Sequence, residues 1–137
     1  EWEGADLQKI VRAELEPYDD GKRLTLDGAT FHLPVNFAVP FAMAVHELTT
    51  NAVKYGALSV PNGRLTVGWT TEWTEGGIRL HLEWTERNGP PVKPPTRRGF
   101  GSTLLERVLA GQLGGTVDVN YPPEGARVRI QAVISQA

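Results

Sequence analysis

The chain has no cysteine, one methionine and three histidines, and it carries only a slight excess of negative charge. The missing cysteine removes disulfide scaffolds, thiolate nucleophiles and cysteine-based zinc sites together, while leaving the compartment open. A formal net charge of -2 and a pI near 5.9 give none of the basic field on which nucleic-acid binding draws, so nucleic acid is not an expected partner. Long apolar runs are also missing. The longest, Phe37 to Val45, is interrupted by Pro40 and falls far short of the roughly 18 residues that a membrane span needs. The acidic start Glu1–Glu3 is not the basic opening of a signal peptide. No direct membrane contact is expected of this chain. The histidines His32, His46 and His81 lack the spacing of metal ligands; the first and last read as strand-face residues.

What is present suits one ordinary domain. The 137 residues are 40% hydrophobic and 22% charged, enough to close a single core and keep its surface soluble. Because the chain begins at Glu1 and its only methionine is Met43, residues 1–137 are expected to be one domain excised from a longer protein. Asp6 to Pro17 spaces Leu7, Ile10, Val11 and Leu15 as an amphipathic helix capped by Asp6 and stopped by the proline. Arg23–Leu26 and Thr30–Leu33 flank Asp27-Gly28 as a hairpin would. A second helix is expected from Phe37 or Pro40 to Tyr55, with the proline in its first turn and Gly56 closing it. Arg64–Trp73 and Gly77–Glu86 alternate as a second hairpin, and residues 87–101, rich in proline and glycine, form a long loop of the functional or mobile kind. A third helix from Ser102 to Leu113 and a last strand pair, Val117–Tyr121 with Arg127–Ile134, complete the pattern. The expected fold class is α/β: a two-layer sandwich of one mixed, mostly antiparallel sheet of about six strands with about three helices on one face.

Three segments carry chemistry. In the second helix, about 100° per residue puts Phe41, Val45, Leu48 and Ala52 on one stripe, and Glu47, Asn51, Lys54 and Tyr55 on another. An amide oxygen beside a carboxylate is the sparse ligation that Mg²⁺ accepts while keeping water and substrate phosphates, and a lysine one turn on meets a phosphate. The alternative is a solvated helix face. In Glu83-Trp84-Thr85-Glu86-Arg87-Asn88-Gly89-Pro90 a strand runs into the loop, and a pocketed Glu86 would accept from an exocyclic amine and repel a carbonyl, favouring adenine over guanine. The alternative is that Glu86 ends an edge strand in water. Arg97-Arg98-Gly99-Phe100-Gly101-Ser102 places glycines at a helix start, where backbone N–H groups and two arginines suit a phosphate, or it is an ordinary loop-to-helix junction. It matches neither a P-loop nor a dinucleotide fingerprint. The tryptophans, Trp84 among them, read as core or sheet-face residues.

Taken in this order, the three segments resemble the catalytic and ATP-binding domain of a sensor histidine kinase, in the superfamily that includes gyrase, heat-shock chaperone and mismatch-repair ATPases. His46-Glu47-Leu48-Thr49-Thr50-Asn51-Ala52-Val53-Lys54-Tyr55-Gly56 resembles the family's N box. His46 together with Trp84-x-Glu86 resembles the subclass named HWE, and Arg97 to Ser102 resembles the glycine-rich ATP-lid box; the likeness covers about residues 5–134. The resemblance implies a Bergerat-type fold and the cofactors ATP and Mg²⁺. It implies Asn51 as the metal ligand, Lys54 on phosphate, Tyr55 along the nucleotide and Glu86 in place of the adenine-reading aspartate. Gly89, Arg97, Arg98, Gly99, Phe100, Gly101 and Ser102 would complete the nucleotide site, with Glu47 polarising the attacking group and His46 as the subclass mark of the catalytic segment. Two departures stand out: Asn88, expected to stiffen the loop, replaces a common glycine, and Ala126 replaces a common threonine near adenine. The implied activity is transfer of the γ-phosphoryl group to a histidine on a separate, upstream dimerisation domain, with a response-regulator receiver domain next and a cytoplasmic setting. The alternatives are a serine-protein kinase acting as an anti-sigma factor in the same superfamily, and a nucleotide-binding interaction module without transfer activity.

Overall fold

The structure is a computed structural model that describes residues 4–91 and 115–134. In chain order its elements are β1 (Gly4–Asp6), α1 (Leu7–Leu15), β2 (Leu24–Asp27), β3 (His32–Pro34), α2 (Val35–Lys54), β4 (Arg64–Thr74), β5 (Gly77–Arg87), β6 (Thr116–Asn120) and β7 (Arg127–Ile134), with single 3-10 turns at Glu16–Tyr18 and Ala57–Ser59. Asp6 caps α1 as expected, its Oδ1 accepting from the Gln8 N–H at 3.2 Å. That bond satisfies one of the four N–H groups a helix start leaves open. Leu7, Val11 and Leu15 then fall on one fully buried stripe.

The main sheet has five strands in the order β2-β4-β5-β7-β6, antiparallel except for the parallel pair β2–β4; β1 and β3 form a separate antiparallel pair. Period-2 alternation divides the sheet into two faces. Leu65, Val67 and Trp69 of β4, Leu80, Leu82 and Trp84 of β5, and Val128, Ile130, Ala132 and Ile134 of β7 point inward and are buried. They share one core with Leu7, Val11 and Leu15 of α1 and with Phe37, Phe41, Val45 and Ala52 of α2. Phe37 and Phe41, one turn apart, stack at 5.9 Å between ring centroids. The opposite sheet face carries threonines, arginines and the Glu83–Arg129 pair.

The α/β sandwich, its mixed, mostly antiparallel sheet and the β4–β5 and β6–β7 strand pairs match the expectation. The expected third helix, Ser102 to Leu113, lies outside the described residues. Two details are corrected. Arg23–Leu26 and Thr30–Leu33 are not a hairpin: β2 pairs in parallel with β4 (Leu24 opposite Leu65) and β3 pairs with β1 (Leu33 opposite Ala5), so the described strands number seven in two sheets. Pro40 is not in the first turn of α2, which starts at Val35 on the extended backbone of Pro34; it sits inside the helix, where its missing N–H leaves the Asn36 carbonyl without its helical partner.

Candidate functional site

Glu86 lies near the end of β5, which is flanked by β4 and β7, so it ends no edge strand. As an even-numbered residue of β5 it points inward with Leu80, Leu82 and Trp84, and only 4% of it is exposed. Each carboxylate oxygen has its own donor. Oε1 accepts from the Ala57 backbone N–H at 3.0 Å, and Oε2 accepts from the Trp84 indole Nε1–H at 2.9 Å. Burial pushes the Glu86 carboxyl above its ordinary value of 4.5, and the Ala57 and Trp84 N–H groups act in the opposite direction. Two N–H donors favour the ionised, acceptor-only form that burial disfavours.

Ala57 opens the 3-10 turn that follows α2 after Tyr55 and Gly56, so Glu86 ties the central strand to the turn just past that helix. The close approach requires glycine at position 56, where a Cβ would collide with Glu86 Oε1, and at Gly89, where it would come within 2.9 Å of the Ala57 backbone nitrogen. Gly89 therefore shapes the site through its backbone. Arg23, just before β2, grips the same turn, with Nη2 donating to the Val60 carbonyl at 2.7 Å and, more loosely, to that of Ala57 at 3.4 Å. Asn88 adopts φ 61, the left-handed conformation that glycine favours and asparagine tolerates; that is why an asparagine can stand in the place of a glycine. The Ala126 carbonyl accepts from the Glu86 backbone N–H at 2.9 Å, so this position meets Glu86 through its main chain.

The polar residues in the second half of α2 divide into two groups. Thr49 and Thr50 donate back to the carbonyls of Val45 and His46 at 2.8 and 2.9 Å, and His46 Nδ1 lies 2.9 Å from Glu14 Oε2 on α1. Glu47, Asn51, Lys54 and Tyr55 make no side-chain hydrogen bond or ion pair with any described residue. Glu47 and Asn51 are half-buried, Lys54 is exposed and Tyr55 is 69% exposed. An uncommitted amide oxygen and carboxylate one turn apart fit a hydrated Mg²⁺ that shares its remaining positions with phosphates. An all-protein metal cage does not fit, because the described residues contain no cluster of three or more histidine, aspartate or glutamate side chains. His46 is not brought to this stripe; it faces α1. Arg97, Arg98, Gly99, Phe100, Gly101 and Ser102 lie outside the described residues.

The sequence reading overlooked Arg23 and Ala57, and it gave Trp84 no polar part in the site. For Trp84 a signal existed: residues two apart on a strand share a face, so a tryptophan at that spacing from a buried glutamate can donate to it. For Arg23 and Ala57 there was none, because their meeting depends on the parallel docking of β2.

No protein-family model matches the chain. It is 37% identical over 134 residues to a blue-light-activated histidine kinase of Brucella anthropi, which spans 96% of this chain and 27% of that protein. A protein of the same name from Brucella ovis is 36% identical over 98% of this chain and 28% of its own length; the chain thus spans little more than a quarter of these relatives. Among solved structures, the histidine kinase domain of the Erythrobacter litoralis blue-light-activated histidine kinase superposes with a TM-score of 0.66 at 22% identity, covering 95% of this chain and 64% of that one. The catalytic domain of the histidine kinase ThkA does so with a TM-score of 0.64 at 12% identity, covering 100% and 99%. No described helix is long and apolar enough to cross a membrane.

Proposed function

The chain belongs with the histidine kinase catalytic domains in sequence and fold, and from that premise we propose that it binds Mg-ATP and passes the γ-phosphoryl group to a histidine on a separate helical domain of the same signalling protein. The observation that carries this reading is a buried carboxylate bonded to Ala57 just after α2, the helix that also presents Asn51, Glu47 and Lys54 with no side-chain partner among the described residues. Glu86 accepts from the exocyclic amine of adenine. A carboxylate has about four lone-pair positions, and the bonds from Ala57 and Trp84 leave acceptor capacity for a third donor. Lys54, exposed at the end of the stripe, meets a phosphate, and Tyr55 lies along the nucleotide.

Asn51 and Glu47 are the residues that would hold Mg²⁺, which when bound neutralises phosphate charge and fixes the phosphates for in-line transfer. Glu47 also orients the incoming imidazole by accepting its N–H. His46 holds α1 against α2 through Glu14. Gly89 lets the loop approach Ala57; Arg97, Arg98, Gly99, Phe100, Gly101 and Ser102, outside the described residues, are proposed from their sequence to complete the nucleotide site. Catalysis on this design is positioning and charge stabilisation. A response-regulator receiver domain then takes the phosphoryl group in the cytoplasm.

Calorimetry with ATP and GTP, with Mg²⁺ or with a chelator, tests the binding half. ATP is expected to bind and GTP to bind at least tenfold more weakly; Asn51→Ala is expected to lose the metal dependence while keeping its thermal midpoint without ligand. Equal binding of the two nucleotides by the wild type overturns the role of Glu86. A large fall in the apo midpoint of Asn51→Ala would make Asn51 a structural amide. Radiolabelled ATP tests the transfer half. The chain alone should remain unlabelled, and the helical domain added in trans should gain an acid-labile, alkali-stable phosphoramidate. An acid-stable product on a protein antagonist would instead identify the serine-kinase alternative.

A further inference from the structure

We propose that Trp84 is a positioning and specificity-determining residue of the nucleotide site, its indole N–H holding the Glu86 carboxylate in the orientation and acceptor state that select an amine over a carbonyl. The proposal rests on the nucleotide-binding function above and deepens it. Trp84 is 1% exposed and sits two residues before Glu86 on the same inward face of β5. The terminal torsion of a glutamate side chain is broad, so the bond from Ala57 to Oε1 by itself would leave the carboxylate plane free to turn. The second N–H, 2.9 Å from the other oxygen, removes that freedom.

The same bond also bears on protonation, behind burial and the Ala57 amide. Among the described residues no charged side chain contributes to the state of Glu86 from α2, β4, β5 or β7: burial raises its pKa, and the Ala57 amide and the Trp84 indole lower it. Without the indole N–H the balance moves toward the protonated acid. A protonated Glu86 presents an O–H, which suits the guanine carbonyl and opposes the adenine amine. Trp84 therefore acts on base choice through Glu86 without touching the nucleotide.

Trp84→Phe keeps an aromatic ring and removes the N–H. Carbon-13 NMR titration of the Glu86 carboxyl, with no nucleotide present, should show the midpoint moving upward in the variant. Nucleotide competition at pH 7 should show the ATP-over-GTP preference falling about tenfold, with the midpoint of ATP binding against pH shifted in the same direction as the carboxyl titration. If the phenylalanine variant does not fold, benzothienylalanine installed at position 84 keeps the bicyclic shape and lacks only the N–H. The proposal is overturned if the N–H-deficient protein retains both the wild-type titration midpoint and the wild-type base preference, whatever its stability. Failure of wild type to bind ATP would sink the nucleotide-site reading instead. The titration separates these failures, since it reports the Trp84–Glu86 bond in the absence of any nucleotide.

Discussion

Two glutamates three positions apart on β5 face opposite ways, and their surroundings could hardly differ more. Glu83 points to the outer face and pairs with Arg129 at 2.8 Å, each side chain more than 40% exposed. Glu86 points inward, is almost fully covered, and has no charged partner among the described residues; two neutral N–H groups hold it. The exposed pair has opposite charges in solvent, where an ion pair contributes only about 0.2–1 kcal/mol. The buried carboxylate has oriented dipoles in place of a counter-charge. A bound cation would have occupied the acceptor positions of Glu86, whereas two N–H donors act against burial in favour of the ionised form and leave the carboxylate able to accept another bond.

The largest expected effect separates the two by deletion. Glu86→Ala strands the Ala57 and Trp84 N–H groups in the interior at about 1–3 kcal/mol each. Urea denaturation should therefore show a loss of several kcal/mol for Glu86→Ala and less than about 1 kcal/mol for Glu83→Ala. Equal losses would erase the distinction. A subtler contrast lies in pH. The Glu86 carboxyl titrates higher folded than unfolded, so the native state holds the extra proton and this group's contribution to stability is complete below the ordinary glutamate value. It is lost as pH rises through the elevated folded value. Thermal midpoints followed upward from pH 4 should carry this decline in wild type and in Glu83→Gln, and should lack it in Glu86→Gln. A decline of the same size in Glu86→Gln would assign it to another group. The smallest effect is the coupling between Glu83 and Arg129. A double-mutant cycle should give less than about 1 kcal/mol, shrinking as salt is raised; a larger, salt-independent coupling would mean that the outer face is more enclosed than the exposures of this pair imply.

Much of this was legible in the sequence because periodicity reports which way a side chain points. The 3.6-residue repeat separated Phe41, Val45, Leu48 and Ala52 from Glu47, Asn51, Lys54 and Tyr55; in the fold Phe41, Val45 and Ala52 are buried and Leu48 packs partly buried against them, while Lys54 and Tyr55 are exposed and Glu47 and Asn51 half-buried. Alternation located β4, β5 and β7 with nearly correct ends. Periodicity does not report partners, however. Thr30–Leu33 had a strand's pattern and a plausible turn before it, yet β3 found β1, while β2 crossed to β4. The edge-strand alternative for Glu86 arose in the same way, since nothing local says that β7 will cover the far side of β5. Within the site, the glutamate was visible and its restraint was not. The Trp84 bond needs an indole turned toward Oε2, and the Ala57 bond joins residues 29 apart, brought together only by tertiary packing. Asn88 is an intermediate case: asparagine is the residue other than glycine most at ease at φ 61, although the loop that demands that angle had to be seen.

The parallel docking of β2 bears on the order in which the molecule assembles. β4, β5 and β7 form antiparallel ladders, and β4 and β5 are joined by a tight turn, a pairing that nucleates locally and early. β2 is different, because the chain must run through β3 and the whole of α2 before Leu24 can meet Leu65, and loop-closure entropy delays such non-local pairing. Arg23, whose carbonyl accepts from the Leu65 N–H at 2.8 Å and whose guanidinium grips the turn after α2, arrives with it. The turn that presents the Ala57 N–H to Glu86 is thus expected to be clamped after the β4–β5 hairpin has formed, and substitutions in β2 should change the folding rate less than the unfolding rate, which stopped-flow kinetics would show.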